Sequence, residues 1–159
     1  MEGERMNHND RLKRLRYALD IRDIDVIEIF KLGGAEVSKE EFLSMLKMVD
    51  EETYETELSD ELFERFLNGL VTSQRGAKDG VEPVFELRQR NANNILLKKI
   101  KIALSLTTED MLEIFEAGEI NMSKSELGSF LRKEGHRNYK QCLDNYTKHF
   151  LLGLVPRFR

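Results

Sequence analysis

The sequence predicts an all-α protein built by internal duplication of a four-helix unit, the two units packed into one compact body. Three observations lead there. Residues 9–47 laid on residues 94–132 match without a gap, at an offset of 85. Apolar residues recur at the three- and four-residue spacing of amphipathic helices. Polar caps and late glycines then punctuate that pattern at the same places in both copies. No alternating Val/Ile/Thr run is long enough for a sheet.

The first helix of each unit places Leu12, Leu15 and Leu19, or Leu97, Ile100 and Leu104, on one stripe, with Asn9 or Asn94 expected as its N-cap. The second runs from Asp23 to Leu32 and from Thr108 to Ala117. Acids lie in its first turn, and Gly33 or Gly118 is expected as its stop. The third opens with Ser38-Lys39-Glu40-Glu41 and Ser123-Lys124-Ser125-Glu126. Both fit the capping box, in which Ser and Glu satisfy each other's exposed backbone donors. The fourth covers Asp60 to Val71 in one copy and ends at Leu154 in the other, starting at Tyr139 or Leu143. Here the repeat continues after a one-residue slip, Phe66-Leu67 matching Phe150-Leu151 and Gly69-Leu70-Val71 matching Gly153-Leu154-Val155. The expected division is a first repeat over 7–72, a linker or strap over 73–92 and a second repeat over 93–155. Val84, Phe85 and Leu87 in the connection are expected to dock on a unit and strap the two together.

The run Leu12-Lys13-Arg14-Leu15-Arg16-Tyr17-Ala18-Leu19, the run Glu28-Ile29-Phe30-Lys31-Leu32-Gly33-Gly34 and their second copies around Asn93-Asn94 and Ser123-Lys124-Ser125-Glu126-Leu127 resemble the YehS-like bacterial proteins. Gly135-His136-Arg137-Asn138-Tyr139 is similar to that family's late segment, and the likeness covers nearly the whole chain. The resemblance implies a small cytosolic bacterial protein of unknown function built from a tandem repeat. It brings no catalytic residue, ligand or partner. The chain departs from the pattern where Gly118-Glu119 replaces the double glycine Gly33-Gly34.

Composition bounds the function. The 159 residues carry 25 Lys and Arg against 29 Asp and Glu, a net charge of −4 that argues against a general polyanion binder. Residues 1–79 are net −7 and residues 80–159 net +3, so the halves are electrically opposite. Cys142 is the single cysteine, which excludes an intrachain disulfide and favours a reducing compartment. The start has no apolar signal core and no stretch approaches a membrane span, so a cytoplasmic protein without membrane partners is expected. The sequons at Asn121 and Asn145 are then read as chance matches.

Candidate chemistry is sparse. An EF-hand reading of Ile29–Leu46 fails because Phe30, Leu32, Gly34 and Ala35 stand where calcium needs oxygens and one glycine. Asp25 with Glu28, and Asp110 with Glu113, are repeated carboxylates on one helix face. Acid–base work is possible for them only if burial separates their pKa values, and helix-start placement is the simpler account. Glu28 and Glu113 are expected to pair with Arg16 and Lys101. His136, Cys142 and His149 form the one soft-metal candidate, but their spacing is poor for zinc and the first unit does not repeat them. The acidic stretch Asp50–Glu64 is read as a solvated loop and helix start. A helix-turn-helix analogy between the second and third helices puts any anion or nucleic-acid surface on the basic second unit, at Lys98, Lys99, Lys101, Lys124, Arg132 and Lys133. With no convergent reactive groups, the expectation is a protein-interaction or assembly module without catalysis or cofactor, its partner another protein or a second copy. Nucleic-acid binding through those six cations is the alternative.

Overall fold

A computed structural model describes residues 5–77, 80 and 83–159. The described residues form α1 (His8–Ala18), α2 (Asp23–Leu32), α3 (Lys39–Leu46), α4 (Asp60–Arg75), α5 (Ala92–Ala103), α6 (Thr108–Ala117), α7 (Lys124–Leu131) and α8 (Asp144–Phe158). They contain no sheet, only an isolated antiparallel bridge between Met48 and Tyr54. The capping signals explain most helix starts. Ser38 and Glu41 close the capping box of α3, and Thr107 and Asp110 close that of α6. Ser123 accepts from the Glu126 amide to cap α7.

The two units are interleaved. α4 packs on α2 of its own unit and on α5 of the other, while α8 packs on α6 and on α1. Each fourth helix therefore makes its main home contact with the second helix of its unit and its foreign contact with the first helix of the other. Matching latches hold the two foreign seams: Arg159 donates to Asp20 Oδ1 at 3.1 Å and to the Tyr17 carbonyl at 2.8 Å, and Arg75 donates to Ser105 Oγ. Arg75 and Arg159, like Asp20 and Ser105, are repeat equivalents. One core runs through both units, from Leu12, Phe30 and Phe66 to Leu97, Phe115 and Phe150.

Glycine sets the home contacts. A Cβ on Gly69 would lie 1.8 Å from the Ile29 carbonyl oxygen, and one on Gly153 would lie 1.8 Å from that of Ile114. Gly33 and Gly118 face the carbonyls of Arg65 and His149 at 1.8 and 1.9 Å in the same sense. Gly33 and Gly118 do end α2 and α6, but their φ values of −84° and −89° are ordinary. Close backbone approach, rather than left-handed geometry, is what requires glycine there. The left-handed turn falls one residue later, on Gly34 (φ 88°) and Glu119 (φ 69°), so the second copy keeps the turn without the second glycine.

The connection between units is a strap on the α4–α5 seam. Leu87 is fully buried and Phe85 is half-buried beneath the Arg65 guanidinium, 4.6 Å from its ring centre, whereas Val84 stays exposed. Glu64 is buried at 1% exposure and accepts the amides of Glu86 at 3.2 Å and Leu87 at 2.9 Å. This corrects the reading of Glu64 as one more solvated acid.

Gly69→Ala or Gly153→Ala is expected to destabilise the fold by about 1–3 kcal/mol or more, because the helix backbones must separate. Gly128 in α7 has open space around its Cβ position, so Gly128→Ala is expected to stabilise by about 0.5–1 kcal/mol. Urea unfolding of the three variants checks both signs.

Candidate functional site

Two buried asparagines organise the ground beneath the candidate site. Asn9 donates to the carbonyls of Met45 at 2.9 Å and Thr56 at 2.7 Å and accepts the Leu58 amide at 2.9 Å. Asn94 repeats this with Phe130 at 3.0 Å, Lys140 at 2.8 Å and the Cys142 amide at 3.0 Å. These bonds correct the N-cap assignment. Both side chains turn inward to satisfy the irregular segment between the third and fourth helices, and the cap of α1 is Asn7, boxed with Asp10. The segment's Tyr54 reaches back to donate to Asp10 Oδ1 at 2.6 Å.

Beside Asn9, a polar cluster closes the interface between units. Arg11 is 2% exposed and donates to Asn93 Oδ1 at 2.8 Å, to His8 Nδ1 at 3.0 Å and to Asp144 Oδ1 at 3.3 Å. His8 stacks on Phe63 and its Nε2 lies 2.7 Å from Asp60 Oδ1. With Nδ1 accepting the Arg11 N–H and Nε2–H donating to Asp60, the ring is the neutral Nε2–H tautomer. Burial lowers the His8 pKa, helped by the Arg11 charge and opposed by Asp60. In the second unit Asn93 takes the place of His8 and bonds Asp144, the counterpart of Asp60, at 2.8 Å. Leu96 takes the place of Arg11.

Above this cluster the α1–α8 seam opens into a groove of about 1660 Å³. α1 supplies Asp10, Lys13, Arg14 and Tyr17, and α8 supplies Lys148, Leu151, Leu152 and Val155. Met48, Glu51, Glu52 and Tyr54 form one wall, and Arg5 and Arg16 add further cations. Arg16 is engaged by Asp23 rather than by Glu28.

The cations expected on the second unit are spread out. Lys98 and Lys133 share a small recess with Glu134 and Tyr139. Arg90 binds Glu134 at 3.0 Å, and that contact, with the Asn91 amide, holds the Glu134 carboxyl below its usual range. Lys124 pairs with Glu109 across α6 and α7 at 3.2 Å. Lys99 and Lys101 are half-buried on α5, and Arg132 is exposed beyond α7. Asp110 and Glu113 both bind Arg157, at 2.7 and 3.2 Å, which replaces the expected Lys101 pairing. Asp110 is held low chiefly by the Thr107 amide and hydroxyl. Asp25 pairs with Arg22 at 2.9 Å.

The soft residues do not converge. Burial pushes the Cys142 thiol up to about 12. His136 Nδ1 accepts the Asn138 amide, and His149 Nδ1 lies 2.7 Å from the Gly118 carbonyl. Among the described residues no three His, Cys, Asp or Glu side chains are grouped to hold a metal ion. Arg65, the counterpart of His149, caps the Gly33 carbonyl in the same way at 3.1 Å, which gives His149 a structural task.

These features define a duplicated all-α protein whose units trade helix contacts across a polar interface. The chain belongs to the family described as protein of unknown function (DUF1456), which matches it twice, at residues 8–76 and 93–159. It is similar to the uncharacterized protein YehS of Escherichia coli (strain K12), 37% identical over 152 residues that span 96% of each chain. No solved structure matches it.

Asn94→Ala strands two carbonyls and one amide and is expected to cost about 3 kcal/mol, read as a lowered urea midpoint. His8 gives a pH signature. Its folded pKa lies below the unfolded value of 6.5, so the unfolded chain takes up a proton that the folded chain refuses. The His8 contribution is therefore complete above pH 6.5 and is lost as pH falls from there toward the lowered folded value. The stability drop across that window is expected to shrink in His8→Asn, the residue the second unit uses, when both proteins are unfolded in urea at a series of pH values.

Proposed function

We propose that the protein is a non-catalytic module, acting in the cytoplasm, that holds a partner protein in the α1–α8 groove. One observation carries the reading: the groove's mouth mixes exposed apolar side chains, Tyr17 at 55%, Met48 at 42% and Leu152 at 47%, with charged side chains of both signs. An apolar centre with a polar rim is the composition of protein interfaces. The reactive side chains support the same reading, since Cys142 is a buried thiol and Asp25, Asp110 and Glu113 are engaged in caps and ion pairs. No helix among the described residues is long and apolar enough to cross a membrane.

A second reading, nucleic-acid binding by the basic second repeat, draws on Lys98, Lys99 and Lys101 along α5 with Arg132 and Lys133 beyond α7, which packs on α5. Glu134 within that set and Glu109 on Lys124 weaken it as a phosphate surface.

Leu152→Glu and Met48→Glu alter exposed positions and are expected to change stability by no more than about 0.5 kcal/mol. In affinity capture from the native cell, the double variant is expected to lose partners that the wild type retains. An unchanged set of captured proteins would sink the groove assignment. Salt-sensitive anisotropy on mixed DNA and RNA, abolished by Lys98→Glu with Lys99→Glu, would replace it with the second reading.

A further inference from the structure

Tyr54 and Tyr139 pair at the repeat offset of 85, but their hydroxyls are treated differently. Tyr54 donates to Asp10 Oδ1 at 2.6 Å. In the second unit Ile95 stands at the place of Asp10, and the buried Tyr139 hydroxyl has no hydrogen-bond partner among the described residues. A buried hydroxyl without an acceptor is costly, so its surroundings bear on what meets it. Tyr139 lines a recess of about 20 Å³ with Asn91, Ile95, Lys98, Lys133 and Glu134. That volume admits one oxygen atom and leaves the rest of a ligand at the mouth.

The exchange of Asp10 for Ile95 also changes the helix start. Asn7 and Asp10 box the start of α1, whereas α5 has no side-chain cap and no acid in its first turn. The recess lies against that turn through Asn91 and Ile95, and such a turn favours negative charge. Lys98 and Lys133 add two ammonium groups; neither closes an ion pair among the described residues, Lys98 reaching Glu134 only through its field. Glu134 does not cancel them, because Arg90 binds it at 3.0 Å and Asn91 donates to it at 3.1 Å. Glu86 at the rim is exposed to solvent. Burial, followed by the neighbouring Glu134 and Cys142, pushes the Tyr139 pKa up and keeps its hydroxyl protonated, a donor in need of an acceptor.

We propose that this recess binds an oxygen of a small oxyanion, a carboxylate or a phosphate, which accepts from Tyr139 and Lys98 and takes the role that Asp10 Oδ1 has in the first unit. Lys133 neutralises the rest of the ion at the mouth. The first unit carries its oxyanion on α1, and the second takes one from solution. The occupant joins the start of α5 to the segment after α7, as Asp10 and Tyr54 join α1 to the segment after α3. The recess shares no residue with the α1–α8 groove, so the proposal goes beyond the module reading and does not depend on it.

The test is an amide NMR titration of the full chain in which sodium acetate or sodium phosphate replaces sodium chloride at constant ionic strength and pH. Saturable shifts are expected at Ile95, Lys98 and Tyr139 with at least one of the two anions, and the tighter one identifies the oxyanion. Tyr139→Phe removes only the hydroxyl and is expected to weaken binding at least about tenfold. Lys133→Ala, at an exposed position, is expected to weaken it about two- to fivefold. Ile95→Asp supplies the acid of the first unit and is expected to abolish binding. Circular dichroism checks its fold, and Tyr139→Phe decides the matter if Ile95→Asp does not fold. Shifts that are absent or never saturate with both anions would mean that water alone meets the hydroxyl, and would overturn the site. An unchanged midpoint in Tyr139→Phe would overturn it as well, leaving an adventitious ion only on the surface lysines.

Discussion

The arrangement depends on one amide side chain per unit. After α3 and after α7 the chain runs irregularly for about a dozen residues, and part of that backbone is buried. Buried carbonyls and amides need partners, and no neighbouring strand supplies them. Asn9 and Asn94 do so because an amide side chain carries both donors and an acceptor. Each ties the end of the third helix, the middle of the segment and the residue just before the fourth helix to a fixed point on the first. The start of α4 or α8 is then set relative to α1 or α5. The glycine contacts set its crossing with α2 or α6. With both constraints applied, the fourth helix presents its remaining face to the other unit, and the interleaving follows.

Duplication gives two copies of one skeleton, but buried charge cannot be used twice at one interface without cost. Arg11 is tolerated because Asp144, Asn93 and His8 all meet it. A second arginine at Leu96 would add a like charge to the same interface. The copies have accordingly divided the work. The first supplies the cation and the titratable ring, and the second supplies an asparagine, an aspartate and a leucine. Net charges of −7 and +3 on the two halves of the chain are the coarse trace of this divergence, while Glu64 against Lys148 is its local form at the seams.

The repeat, the all-helical class and the bounds of α2 and α6 were legible because they are local: caps, stops and apolar spacing act within a few residues. Asn9 and Asn94 were misassigned as caps although they stand three residues before Leu12 and Leu97, on the stripe that faces the core. Recurrence of a polar residue on an apolar stripe was the available signal for a buried amide. The groove left no comparable signal. It brings Lys13 beside Lys148 only because α8 crosses to the other unit, and a contact between residues so far apart in the chain has no local pattern. The basic character of α5 was legible, but Glu109 of α6, which pairs with Lys124, and Glu134 beyond α7, which binds Arg90 beside Lys98, are brought there by the fold.

Why the strap lies on the α4–α5 seam has a topological answer. The connector from α4 to α5 joins two helices that pack on each other, so it starts and ends at their seam and lies along it at small entropic cost. α1 and α8 are the first and last of the described helices, and no connector runs between them. Among the described residues the strap therefore covers the α4–α5 seam by connectivity, while only Arg5, Met6 and Asn7, ahead of α1, reach the α1–α8 seam along the chain. The two copies also differ in sequence on this surface: Lys148 stands where the strapped seam has the amide acceptor Glu64, and the exposed Leu152 where it has Asn68. A single exposed leucine is ordinary surface, but Leu152 shares one groove with the exposed Tyr17 and Met48, and apolar side chains gathered in this way are the physical ground on which the groove is proposed as a binding surface.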